Sequence, residues 1–133
     1  MPSKSPTPNP SRKREGNPLR QAAEERGREG ETLAAAHLKR LGWTIVAERV
    51  RTRVGEVDLV AKRKGLVAFV EVKVRATAAE LDFAIDERRL ARVAAAAEVL
   101  AATYATDGED IRIDVILIAP GAKLRHIENA WIG

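Results

Sequence analysis

A chain of 133 residues, 45% apolar and 32% charged, suits one domain with one core and has the balance of an ordinary globular protein. It has no cysteine, which excludes disulfides, zinc–thiolate sites and thiol nucleophiles. The formal charge of +4 is uneven: residues 1–18 carry +3 through Lys4, Arg12, Lys13 and Arg14 against Glu15, so any basic face on the rest must come from local clustering.

Residues 1–18 hold five of the six prolines and all three serines and show no hydrophobic periodicity. They read as a flexible basic tail, serving solubility or a weak, salt-sensitive attraction to phosphates, ahead of a domain over 19–133. From Leu19 to about Leu41 the pattern turns helical, with Ala22, Ala23, Ala34, His37, Leu38 and Leu41 near one side. Gly27 and Gly30 each cost about 1 kcal/mol relative to alanine inside a helix, so that turn either starts late or packs closely on something. Gly42 suits the position just past a helix end.

Three strands follow: Trp43 to Val50, Glu56 to Ala61 with Val57, Leu59 and Ala61 on one face, and Leu66 to Val74, a highly apolar run. Lys64-Gly65 can close a hairpin between the last two. Asp86 can cap a helix running to about Tyr104, whose buried stripe is Leu90, Val93, Ala94, Ala97, Leu100, Ala101 and Tyr104. Ile111 to Ala119 is a fourth strand, ended by Pro120-Gly121, and Leu124 to Trp131 a fifth. The order αβββαββ implies an α/β fold, a mixed central sheet flanked by helices.

The informative feature is Gly55-Glu56-Val57-Asp58, followed by Glu71-Val72-Lys73. Alternation puts Glu71, Lys73 and Arg75 on one face of the third strand. A two-residue turn at Lys64-Gly65 pairs 63 with 66 and, counting back, sets Asp58 opposite Glu71, with Cβ atoms about 4.5–5.5 Å apart. Facing carboxylates repel, so one must take up a proton or a cation must lie between them. Lys73 supplies part of the compensation and a hard divalent ion can supply the rest, since Mg²⁺ takes one or two carboxylates with waters and substrate phosphate. The preceding run Leu66 to Val70, apolar on both faces, marks a central strand, so charges confined to its end suggest a site at the sheet's rim. The same spacing fits a solvated edge-strand face paired to Asp58. Glu31, at the margin of the first helix's stripe, could point across the sheet toward the pair; an exposed helical acid in an i,i+4 pair fits as well.

Other chemistry finds less support. The two histidines, His37 and His126, are far apart in sequence and suit structural roles better than a transition-metal site. Serine is confined to the tail, which excludes a serine triad, and no phosphate-cradling glycine motif is present. Arg88, Arg89 and Arg92 cluster on the second long helix and Arg51 and Arg53 precede the site, either as solvated charge or as phosphate contacts that hold a backbone without reading bases. Aromatic residues are only 4%, which disfavours a single-strand stacking platform and mildly favours duplex or branched substrate. No apolar run approaches the roughly 20 residues that cross a bilayer, and the N-terminus lacks the apolar stretch of a secretory signal, so a cytoplasmic location is expected.

The residues Gly30-Glu31, Ala35-Ala36-His37-Leu38, Leu41-Gly42-Trp43, Arg51-Thr52-Arg53-Val54-Gly55-Glu56-Val57-Asp58-Leu59-Val60-Ala61 and Phe69-Val70-Glu71-Val72-Lys73-Val74-Arg75 resemble the YraN family of small bacterial proteins. Arg112-Ile113-Asp114-Val115-Ile116 and Ile127-Glu128-Asn129-Ala130-Trp131 resemble its ending, so the likeness spans roughly residues 20–132. That family is similar to the PD-(D/E)xK nuclease superfamily, which includes Holliday-junction resolvases and many restriction enzymes. The resemblance implies a restriction-endonuclease-like core with Glu31 as the helix-borne acid, Asp58 and Glu71 as metal ligands and Lys73 as the catalytic lysine. Two places depart from the family: Arg49 stands near its usual Asn, and Ala76 to Ala84 lacks its usual Ser, Gly and Pro.

The expected function is a Mg²⁺- or Mn²⁺-dependent endonuclease acting on nucleic acid, DNA favoured over RNA, in repair, recombination or processing. Asp58, Glu71 and the Val72 carbonyl would hold the ion, with Glu31 holding a second or acting through water. Arg51, Arg53, Arg75, Arg88, Arg89 and Arg92 would contact the nucleic acid. A symmetric homodimer would suit paired cuts. A nucleic-acid-binding adaptor that does not cut, and a scaffold acting through a protein partner, are the alternatives.

Overall fold

The computed structural model describes residues 17–131; the expected tail lies outside them except for its last two positions. The elements are α1 (Pro18–Arg40), β1 (Thr44–Arg51), β2 (Glu56–Arg63), β3 (Leu66–Val74), α2 (Ala78–Leu81), α3 (Glu87–Tyr104), β4 (Asp110–Ile118) and β5 (Arg125–Ile127). The fold is mixed α/β, as its patterning implies, with one short helix, α2, that periodicity does not reveal.

Asn17 and Pro18 start α1. The Arg20 N–H donates to Asn17 Oδ1 at 3.0 Å, and Pro18 opens the helix where its missing N–H costs nothing. His37, Lys39 and Arg40 in the last turn complement the helix dipole, and Gly42, at φ 92°, lets the chain reverse. The buried positions of α1 are Gly30, Ala34 and Leu38, spaced by four. Ala22, Ala23 and Leu41 are exposed, contrary to the stripe their spacing suggests. Residues 18–29 are almost wholly exposed because they run past the sheet. Gly30 is where the helix meets it: a Cβ there would strike Val74.

The sheet order is β1-β2-β3-β4-β5, with β3 central, parallel to β4, and every other neighbouring pair antiparallel. One face carries Leu59, Ala61, Ala68, Val70, Ile116 and Ile118 beneath Ala34 and Leu38 of α1. The other carries Val60, Val67, Phe69, Ile113, Val115 and Leu117 beneath Leu90, Val93, Ala97 and Leu100 of α3. Burying each large aliphatic side chain contributes about 1.5–3 kcal/mol, which makes these two layers the main support of the fold.

The Lys64-Gly65 turn forms, with Gly65 at φ 77°, and the register runs from Arg63↔Leu66 to Leu59↔Val70 as counted from the turn. Beyond Leu59 the alternation breaks: Val57 packs with Val60 on the α3 side, not with Leu59 and Ala61. The fifth strand is also shorter than expected, because Asn129 takes φ 52° and the segment turns away after Ile127.

Candidate active site

The break at Asp58 makes the site. A two-residue hairpin closed by Arg63↔Leu66 points the N–H and C=O of every second β3 residue at β2, which includes Val72. The Val72 N–H donates instead to Asp58 Oδ2, at 2.8 Å. A side chain has replaced the ladder partner, so β2 leaves β3 at this point and opens a pocket at the rim. Its volume is about 240 Å³, and Glu31, Asp58, Glu71, Val72, Lys73 and Arg89 are among its walls.

Glu71 is 1% exposed and Asp58 8%. The Arg89 Nε donates to Glu71 Oε2 at 2.6 Å and Nη2 to Oε1 at 3.4 Å, while Lys73 Nζ stands 3.3 Å from Oε2. Burial opposes the charge on Glu71. The Arg89 guanidinium, the facing Asp58 carboxyl and Lys73 together outweigh it and hold Glu71 below the usual carboxylate range. Asp58 has no such help. Burial, and then the hydrogen bond and charge of Glu71, push it up to about 8, against a smaller opposing effect of the Val72 N–H. Burial and the facing charge therefore favour a proton on the pair, and among the described residues no cation is hydrogen-bonded or ion-paired to Asp58.

Glu31 lines the same pocket, but its Oε1 accepts from Arg49 Nε at 2.7 Å. Arg49 has φ 51°, a left-handed conformation that costs a non-glycine residue about 1–2 kcal/mol and that asparagine tolerates better. Among the described residues no three acids or histidines converge as a ready-made metal cage. Two carboxylates and the rim-facing Val72 carbonyl do fit the needs of Mg²⁺ or Mn²⁺, which complete their shells with water and phosphate.

The six expected nucleic-acid contacts separate. Arg89 is drawn in to Glu71, and its spacing of four from buried Val93 carries that placement. Arg51 pairs with Glu56 at 2.9 Å, and Arg75 Nη1 donates to the Val74 carbonyl at 2.8 Å. Arg53, Arg88 and Arg92 are exposed. A Cβ on Gly55 would strike the Arg92 carbonyl, so the β1–β2 turn that carries Arg53 lies directly on α3. That turn is knitted by Thr52, whose hydroxyl donates to the Gly55 carbonyl at 2.8 Å and accepts from the Val54 and Gly55 N–H groups. Arg26, not singled out in the sequence, is a further exposed cation on the pocket wall.

The histidines lie elsewhere, on the α1 face of the sheet. Asp114, fully buried, accepts from Arg112 Nε and Nη2 at 2.8 and 2.9 Å and from the Asn129 N–H at 3.0 Å, and lies 2.8 Å from His126 Nε2. His126 Nδ1 is 3.1 Å from His37 Nε2. Burial, then His126 and Arg40, hold His37 below its ordinary value. This network ties α1, β4 and the C-terminal segment together.

Fold and pocket define an α/β domain with an acid pair and a lysine at the open end of its central hairpin. The chain belongs to the uncharacterised protein family UPF0102, the YraN family, whose model matches residues 30–118. A UPF0102 protein of Erythrobacter litoralis is 67% identical over 112 residues, covering 84% of this chain and 97% of its own. One from Sphingopyxis alaskensis is 57% identical over 112 residues, with the same coverage. Among solved structures, Hjc, a Holliday junction resolvase from Archaeoglobus fulgidus, matches with a TM-score of 0.47 at 18% identity, over 71% of this chain and 72% of its own. A likeness of that size carries no chemistry across. No helix among the described residues is long and apolar enough to cross a membrane.

Proposed function

We propose that the protein is a Mg²⁺- or Mn²⁺-dependent endonuclease, with DNA the favoured substrate. The observation that carries this reading is the buried Asp58–Glu71 pair, with Lys73 against it, lining one pocket at the rim of the sheet. The family resemblance supports the same assignment of roles.

Asp58, Glu71 and the Val72 carbonyl would hold the ion. When bound, the ion polarises a phosphate and lowers the pKa of an attacking water. Lys73, whose ammonium already sits in the pocket, orients that water and stabilises charge developing on the phosphoryl oxygens. Glu31 adjoins the pair from α1 and acts through water, its carboxylate being held by Arg49. Arg26, Arg53, Arg88 and Arg92 position the backbone electrostatically, which makes binding fall steeply with salt.

A second reading, an adaptor that binds nucleic acid without cutting, draws on the two cations already compensating Glu71. A cleavage panel separates the two: labelled branched, duplex and single-stranded substrates with Mg²⁺, Mn²⁺ or EDTA, for the wild type, Asp58→Ala and Lys73→Ala. Cutting that needs a divalent ion and vanishes in both folded variants is the expected result. Equal cutting by all three proteins, or salt-sensitive binding with no cutting of any substrate, would refute the enzyme.

A further inference from the structure

Positive charge is unequally shared between the two pocket acids. Glu71 has two cations, with the Arg89 guanidinium reaching both its oxygens and Lys73 reaching Oε2. Asp58 accepts the Val72 N–H and faces Glu71, with no cation bonded to it among the described residues. An ion held by both acids would need Glu71 oxygens that Arg89 and Lys73 already engage.

We propose that Arg89 is a resident counter-cation: its guanidinium stands on Glu71 where a divalent ion would bind, and the ion enters only as this pair opens. The inference rests on the metal-dependent reading above and adds what sets the affinity of the site.

Three observations favour Arg89 over Lys73 in this role. Arg89 comes from α3, outside the sheet, and among the described residues both of its side-chain hydrogen bonds go to Glu71, so it can leave without breaking another hydrogen bond. Its side chain is 32% exposed and has a path to solvent, against 20% for Lys73. Leu90 and Val93, both buried, hold α3 in place whether or not the guanidinium is docked. A nearly buried Glu71 stripped of its cations would be costly, so a guanidinium that leaves only when an ion arrives keeps the acid compensated in both states. Arg89 and Arg26 line the same pocket, so a substrate phosphate there would be the natural next partner of the released guanidinium.

Opening the ion pair subtracts from the free energy of ion binding, so removing Arg89 raises the apparent affinity. Arg89 is thus a positioning residue acting through Glu71, and the readout is ion binding, not turnover. The test is calorimetric titration of Mn²⁺ into the full chain for the wild type, Arg89→Met, Arg89→Lys and Asp58→Asn, with circular dichroism to confirm folding. Arg89→Met is expected to bind Mn²⁺ about tenfold tighter or more, Arg89→Lys to fall between it and the wild type, and Asp58→Asn to show no saturable binding. Mn²⁺ should also raise the melting temperature of Arg89→Met more than that of the wild type. If Arg89→Met fails to fold without the ion, Arg89→Lys against the wild type carries the same comparison. Equal or weaker binding by the arginine variants, with binding still lost in Asp58→Asn, overturns the role of Arg89 and leaves the metal site standing. No saturable Mn²⁺ binding in any of the four proteins overturns both.

Discussion

Replacing Asp58 by asparagine is expected to make the ion-free protein more stable while abolishing the proposed activity. The amide matches the protonated acid: its oxygen can accept the Val72 N–H, and its nitrogen can donate to Glu71. The wild-type carboxyl rises from 3.8 to about 8 in the folded state, so at pH 7 folding carries the cost of holding a proton that the unfolded chain releases. At about 1.4 kcal/mol per unit the upper bound is roughly 4 kcal/mol. For a domain of this size each kcal/mol is worth about 3–6 °C, so a gap of several kcal/mol raises the melting temperature by about 10 °C or more. The sign follows from linkage. Above the unfolded value the folded state binds the extra proton, so wild-type stability falls as pH rises from about 4 to about 8 and then levels off, a dependence the asparagine variant lacks. Scanning calorimetry in EDTA from pH 5 to pH 9 should show the gap between the two proteins widening up to about pH 8 and flat beyond. A constant gap, or a less stable Asp58→Asn, would refute the account of the acid pair.

The three helix and turn glycines can be separated by urea denaturation. Gly55→Ala, against the Arg92 carbonyl, and Gly30→Ala, against Val74, are expected to cost about 1–3 kcal/mol each. Gly27→Ala meets open space and should stabilise by about 0.5–1 kcal/mol. Asp114→Ala leaves Arg112 without its buried partner and is expected to cost about 3–5 kcal/mol. Burial opposes the charge of Asp114, but His126, Arg112 and the Asn129 N–H hold its pKa low, so its contribution is full above the ordinary carboxylate value and is lost as pH falls through the lowered one. Acid titration followed by circular dichroism should therefore unfold the wild type more steeply than Asp114→Asn. Lys73→Met should keep the wild-type melting profile within a few degrees and lose cleavage in the substrate panel.

The hairpin register was legible because Lys64-Gly65 is a two-residue turn and strand pairing then follows by counting. That count also brought Asp58 to Glu71, since both lie close to the turn in sequence. The exact disposition of Asp58 was not legible: a side chain that takes over a ladder hydrogen bond leaves no mark in a hydrophobic pattern, and Val57 changes face as a result. Long-range polar pairs were equally silent. Arg49 with Glu31, and Asp114 with Arg112 and His126, depend on which elements the fold makes neighbours. The apolar stripe of α3 was largely readable from spacing, whereas that of α1 was overcounted because a helix can outrun the sheet it covers. The short helix α2 rests on the Thr77 cap and one buried residue, Leu81, too little periodicity to register.

That overrun gives the pocket two mechanically different sides. Ala23, Arg26 and Gly27 belong to the exposed first half of α1, roughly 18 Å of helix with almost no sheet beneath it, whereas Asp58, Glu71 and Lys73 stand on strands locked between two packed layers. Amide hydrogens of residues 18–29 should exchange long before those of 30–40, since the free energy of local opening scales with buried contact. The pocket therefore has one wall that gives way early, the exposed helix, and one that holds its place, the strands that carry the two acids and the lysine.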